Sequence, residues 1–131
     1  DDPNRPLNNW PEEDAAVTAG PRVGAPAVSV ALTDGGHLTD HLNFRPTALY
    51  FTGHAGDEVA LSALQGLEVQ VIGPGGIADS GARIAAAYGA GPGTIYLLRP
   101  DWHVAARARV APAPEVIRGA IRRMMGGHDG T

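Results

Sequence analysis

Several groups of residues in this chain have types and spacings that could do chemistry. The run Val71-Ile72-Gly73-Pro74-Gly75-Gly76-Ile77-Ala78 fits G-x-G-x-x-A after a strand-like stretch and before a helical one, the pattern that holds a dinucleotide pyrophosphate. Against this, Asp79 sets a negative charge near the phosphates, and no acidic ribose ligand closes a following parallel strand about 20 residues on. A Gly-rich loop entering a helix is the preferred reading. His37 and His41 lie four apart with Asp40 between them, which on a helix would present two imidazoles to a metal. Asp34 is the nearest third ligand, but the segment is short and follows glycines, so solvated histidines are preferred. His103 beside Asp101 has the makings of an acid/base pair, yet no nucleophile is recognisable near it, which favours stabilisation of a turn. Arg118, Arg122 and Arg123 form a basic face, read as solvated, with contact to an acidic protein surface as the alternative. The chain has no cysteine, which excludes disulfides, Cys-zinc sites and thiol redox chemistry together.

The elements that would position these residues belong to a chain of 131 residues, long enough for a single core. Its apolar fraction of 44% is ordinary for a folded domain, with few aromatics and much Ala, Val, Leu and Ile. The net charge of -4 argues against a nucleic-acid partner, and every basic residue is arginine. No apolar run approaches the roughly 20 residues of a membrane span, and no signal peptide is recognisable, so a cytoplasmic setting is expected. The sequence starts at Asp1 without an initiator Met, the mark of a processed protein or a piece of a longer one.

Residues 1–23 carry Pro3, Pro6, Pro11, Pro21 and the acidic cluster Glu12, Glu13 and Asp14, and read as a linker or N-terminal extension that Trp10 could pin to the domain. Residues 126–131 read as a polar tail. Between them, residues 24–125 alternate strand-like and helical runs. Strands are expected at Ala27–Leu32, Thr47–Thr52, Leu67–Ile72, Thr94–Leu98 and His103–Val110. Helices are expected at His37–Leu42, Glu58–Gln65 with Asp57 as N-cap, Ala82–Tyr88 and Glu115–Met125. Arg99-Pro100-Asp101-Trp102 should turn a hairpin, with Pro100 presetting φ for a type I turn. Along the last helix Val116, Ile117, Ala120, Ile121 and Met124 share one face. The order β-α-β-α-β-α-β-β-α, with helix crossovers between parallel strands and one hairpin, predicts an α/β, thioredoxin-like fold with a mixed central sheet and helices on both faces.

The run Asp79-Ser80-Gly81, then Tyr88-Gly89, then Leu98-Arg99-Pro100-Asp101, His103-Val104-Ala105 and Arg107, is similar to the pattern that closes the FAD-dependent aromatic-ring hydroxylases acting on phenols and aromatic polyketides. Gly24-Ala25-Pro26 and Asp34-Gly35 resemble the start of the same C-terminal domain, so the resemblance covers about Gly20 to Met125. Trp102 stands where that family often has Gly, and Ala106 where it often has Trp. A turn residue with positive φ is cheap for Gly and costly for Trp, so either the turn differs or Trp102 adopts an ordinary conformation.

The resemblance implies a domain with the thioredoxin fold but without C-x-x-C, serving packing, stability or subunit contacts. FAD, NAD(P)H and the aromatic substrate would belong to a larger flavin-binding body, and no catalytic, cofactor-binding or metal residue is carried over to this chain. The apolar side of the sheet or of Val116–Met124 would dock on that body or on a second copy. Two alternatives come from other classes: a free-standing thioredoxin-like interaction or dimerisation module, and a small nucleotide-binding protein using the Gly73–Ala78 loop.

Overall fold

Thr47-Ala-Leu-Tyr-Phe51 (β1) and Ile95-Tyr-Leu-Leu98 (β3) are continuous apolar runs, and every residue of both is buried. Strands of that kind belong in the middle of a sheet covered on both faces. The computed structural model describes residues 17–32, 35–54 and 56–125. Trp10, the Glu12–Asp14 cluster, Asp34 and the tail at 126–131 lie outside the described residues.

Among the described residues the sheet has four strands in the order β2-β1-β3-β4, with β2 at Glu68–Ile72 and β4 at Val104–Ala108. β1 pairs parallel with β2, in the register Thr47 to Glu68 through Phe51 to Ile72. β3 is antiparallel to both neighbours, pairing Thr47 with Leu98 on one side and Ile95 with Ala108 on the other. The register slips near Leu97 and Leu98, so that Ala105 forms a bulge between Val104 and Ala106. This is the mixed sheet of the thioredoxin-like plan.

Alternation along the strands divides the core in two. Ala48, Tyr50, Ile95 and Leu97 face α1 (Asp57–Ser62) and α3 (Pro114–Met124), where Leu61, Val116, Ile117, Ala120 and Ile121 complete one cluster. Leu49, Phe51, Tyr96 and Leu98 face the other way, onto α2 (Arg83–Tyr88) and a 3₁₀ turn at Leu38–His41, through Ile84, Tyr88, Leu38 and Leu42. Pro114 sits in the first turn of α3, where its missing N–H costs nothing. The apolar face of α3 is thus spent on the domain's own core. Val116, Ile117, Ala120 and Ile121 are not available to dock on another body, which corrects that part of the sequence expectation.

Two further corrections concern topology. Ala27–Leu32 does not form a sheet strand. It crosses the second cluster as an extended strap, touching the rest through the isolated bridges Pro26–His103 and Ala31–His37. Two of its carbonyls are taken by side chains: Tyr88 Oη donates to Val28 O at 2.5 Å and Arg83 Nη2 to Ala31 O at 3.0 Å. The crossover through α2 also does not join parallel strands. Gly89, at φ 59°, ends α2 and turns the chain. The chain then enters β3 beside the end of β1, where Gly93 N donates to Phe51 O and Phe51 N to Thr94 O.

The first helix is shorter than the expected Glu58–Gln65, and Asp57 does not cap it. Its carboxylate accepts from Tyr50 Oη at 2.6 Å, and Gly56, at φ 90°, occupies the cap position instead.

Candidate functional site

Arg107 lies on β4 with 3% of its surface exposed, and its guanidinium points at the chain segment 17–21. Nη1 donates to the carbonyls of Pro21 at 2.8 Å and Ala19 at 3.0 Å, and Nη2 donates to Val17 O at 3.2 Å. The planar fork of donors thereby fixes the path of this segment over the domain. The same segment crosses the end of α2 at contact distance. A Cβ on Gly20 (φ 83°) would fall 2.3 Å from Tyr88 O, and one on Gly89 (φ 59°) would fall 2.8 Å from Ala19. Both positions need glycine for room as well as for backbone conformation.

Tyr88 and Tyr96 floor this crossing. Their rings meet edge to face with centroids 5.0 Å apart, and Phe51 adds a tilted contact to Tyr88 at 6.0 Å. Tyr96 Oη donates to Tyr88 O. Burial holds the Tyr88 phenol well above its ordinary pKa, so it stays a hydrogen-bond donor to Val28. Three residues singled out in the sequence, Tyr88, Gly89 and Arg107, are therefore brought together in one clamp. Gly20 and Tyr96 complete it and were not singled out. By composition Gly20 belongs with the Pro-rich stretch of residues 1–23, and Tyr96 reads like any strand aromatic. The signal that could have found Gly20 is a glycine followed by proline just ahead of the first β-prone run.

The other motif residues stand elsewhere. Asp79 and Gly81 are at the start of α2, where the Asp79 carboxylate accepts from Ile84 N at 2.7 Å and Ala85 N at 3.0 Å. It caps the helix from outside because Gly81 (φ 68°) and Ala82 (φ 56°) fold the chain back beneath it. Arg99, Pro100, Asp101 and His103 form the hairpin turn, with Trp102 N donating to Arg99 O at 2.8 Å and Arg99 N to His103 O at 2.9 Å. A type I turn followed by a left-handed residue is the usual three-residue hairpin loop, and that residue is Trp102, at φ 70°. The turn is thus the one glycine would make, with tryptophan in the strained position. Trp102 is held there by a parallel stack on Phe44, at 5.4 Å and 7°, and by Nε1 donating to Asn43 O at 3.1 Å.

Asp101 accepts from His103 N at 3.2 Å and lies 3.3 Å from His103 Nδ1 and 3.5 Å from Arg99 Nε. That hydrogen bond from the His103 backbone, with the nearby Arg99 and His103 charges, holds its carboxyl below the usual aspartate range. The partners of the His103 ring are the carboxylate and the carbonyl of Asp101, both within the turn.

The Gly73–Ala78 loop uses its amides on itself. Gly73 N donates to Ile77 O, Gly76 N to Gly73 O, and Ile77 N returns to Val71 O of β2. The Asp79 carboxylate already occupies amides of the helix that follows. A cleft of about 590 Å³ opens beside the loop, and among the described residues His41 is the only ionisable one in its lining. The amides of Gly73, Gly76 and Ile77 are thus taken by carbonyls rather than presented to an anion. His37 and His41 bracket the 3₁₀ turn, with His37 N donating to Asp40 Oδ2 at 2.8 Å. No group of three candidate metal ligands occurs among the described residues. Arg118, Arg122 and Arg123 are exposed on α3. No helix among the described residues is long and apolar enough to cross a membrane.

No family model matches the sequence, and no curated protein does. Solved structures do. The flavin-dependent monooxygenase PieE, in complex with FAD and substrate, is 26% identical with a TM-score of 0.68, over 83% of this chain and 21% of its own. Aklavinone-11 hydroxylase, solved with FAD and aklavinone, is 26% identical with a TM-score of 0.58, over 80% of this chain and 21% of its own. The chain has the thioredoxin-like fold and is similar to one part of these flavin-dependent enzymes. A third structure, RebC-10x, native and bound to K252c, is similar at 26% identity and a TM-score of 0.60, over 83% of this chain and 19% of its own. The chain thus spans about a fifth of the length of these enzymes.

Proposed function

We propose that this domain is the non-catalytic accessory part of an FAD-dependent, NAD(P)H-using aromatic hydroxylase, contributing packing and stability to a flavin-binding body in the cytoplasm. The observation that carries the reading is the use of the motif residues. Arg107, Tyr88 and Gly89 hold the segment 17–21, Asp79 caps α2, and Asp101 and His103 bond within one turn. Side chains committed to internal hydrogen bonds are poorly placed to exchange protons or electrons with a substrate. In this reading the domain is best bounded to include residues 17–23, ahead of the 24–125 span that the sequence suggests, since Val17 and Pro21 are buried. The partner is the flavin-binding body of the same enzyme, and a second copy of the chain is the alternative.

Thermal release of flavin, followed by fluorescence, tests the role on the body encoded with this chain. Adding the domain should raise the release midpoint by several degrees and leave kcat unchanged. An unchanged midpoint, or sedimentation of the domain as a homodimer that ignores the body, would overturn the accessory reading.

A further inference from the structure

A cleft of about 270 Å³ lies between the β3–β4 hairpin and the C-terminal half of α3. Its walls are apolar, from Leu97, Val104, Ala106, Ala120 and Met124, but two arginines, Arg99 and Arg123, also line it. Arg99 and Arg123 both border this cleft, and two like charges there favour an anion between them. Among the described residues Arg123 has no ion pair, and its neighbours Arg118 and Arg122 on α3 are also exposed cations. Arg99 Nε is buried and is the one such side-chain atom left without a hydrogen bond among the described residues. Asp101 Oδ1 stands 3.5 Å away in an ion pair with it but accepts no hydrogen bond from it. A buried donor without an acceptor is costly, so its presence marks a place where an acceptor belongs.

We propose that this cleft binds a carboxylate, seated between Arg99 and Arg123 with its methylene stem against the apolar walls. The volume lies just below the usual range for small-molecule sites, about 300 to 1,000 Å³, and suits one side chain or a short dicarboxylate rather than a nucleotide. The apolar lining favours a carboxylate on a hydrocarbon stem over a fully hydrated inorganic anion, although both match the guanidinium fork. The carboxylate comes either from an acidic side chain on a partner protein or from a free short-chain dicarboxylate. The inference rests on the cleft alone and is independent of the accessory role.

The test is an NMR titration of the ¹⁵N-labelled full chain at constant ionic strength, reading the arginine Nε–Hε resonances. The probes are glutarate, a blocked peptide Ac-Ala-Glu-Ala-NH₂, and inorganic phosphate. Arg99 and Arg123 should shift together along a one-site isotherm with glutarate or the peptide, with Kd on the order of millimolar for so exposed a site. Arg123→Gln should weaken binding about tenfold, whereas Arg118→Gln should leave it unchanged. Tighter binding of the peptide assigns the carboxylate to a partner side chain. Equal or tighter binding of glutarate assigns it to a free ligand, and either result supports the site. Shifts that do not saturate, equal losses in the Arg118 and Arg123 variants, or tighter binding of phosphate would overturn it.

Discussion

A guanidinium with 3% of its surface exposed must find acceptors for a rigid fork of donors, and Arg107 finds them in the carbonyls of Val17, Ala19 and Pro21. Arg107→Met keeps much of the stem and removes the donors. The variant should lose about 3 kcal/mol in urea denaturation and expose the bond after Ala19 to limited proteolysis. Unchanged stability would remove the clamp from the account. Trp102 poses the opposite problem, a bulky residue at φ 70° held by Phe44. Relief of left-handed strain is worth about 1 kcal/mol, and loss of the stack a similar amount. Trp102→Gly should therefore be close to neutral alone and stabilising by about 1 kcal/mol in a Phe44→Ala background. The same effect in both backgrounds would show that the stack does not offset the strain. The sequence identified Tyr88, Gly89 and Arg107 as a motif but could not reveal what they hold. The acceptors lie some 86 to 90 residues earlier, in a stretch that reads as linker. Likewise Trp102 in place of Gly suggests a changed turn, because the compensating ring is on Phe44, far away in sequence.

At the scale of elements, α2 has six residues, too few to be stable by propensity, and depends on its ends. Asp79→Ala leaves two amides unpaired and should cost about 1 to 2 kcal/mol, with Asp79→Asn losing less, both read from chemical denaturation. The hairpin turn gives a pH dependence. The Asp101 pKa is lowered in the folded state from 3.8, so its contribution to stability is present above that pH and is lost as pH falls through the folded value. Asp101→Asn should accordingly narrow its stability difference from the parent below about pH 4. A difference independent of pH would contradict the assigned cause. Most elements were legible because local chemistry decides them: Pro114 starts α3, Gly89 stops α2, and Pro100 turns the hairpin. Ala27–Leu32 was misread because its apolar, β-branched composition also suits an extended strap whose carbonyls bond to Tyr88 and Arg83. Asp57 looked like a cap because its contact with Tyr50 is tertiary.

For the whole molecule, the two clusters on opposite faces of one sheet enclose Tyr50, Tyr88 and Tyr96, and the helix faces that could have bound another protein are turned inward. Among the described residues the surface shows Phe44, Val59, Val110 and Met125 as exposed apolar side chains, beside the arginines of α3. The fold class could be read from the sequence because the strand and helix order constrains it. The antiparallel return through α2 could not, since it depends on the tertiary pairing of Gly93 and Thr94 with Phe51. If the domain is accessory, as proposed above, the chemistry lies outside this chain. The most direct test is the purified chain itself, mixed with FAD and NADPH, followed by its visible spectrum after gel filtration and by NADPH absorbance over time. The account predicts a colourless protein fraction and no oxidation above the rate of free flavin; a fraction that retains stoichiometric flavin, or that consumes NADPH, would contradict it.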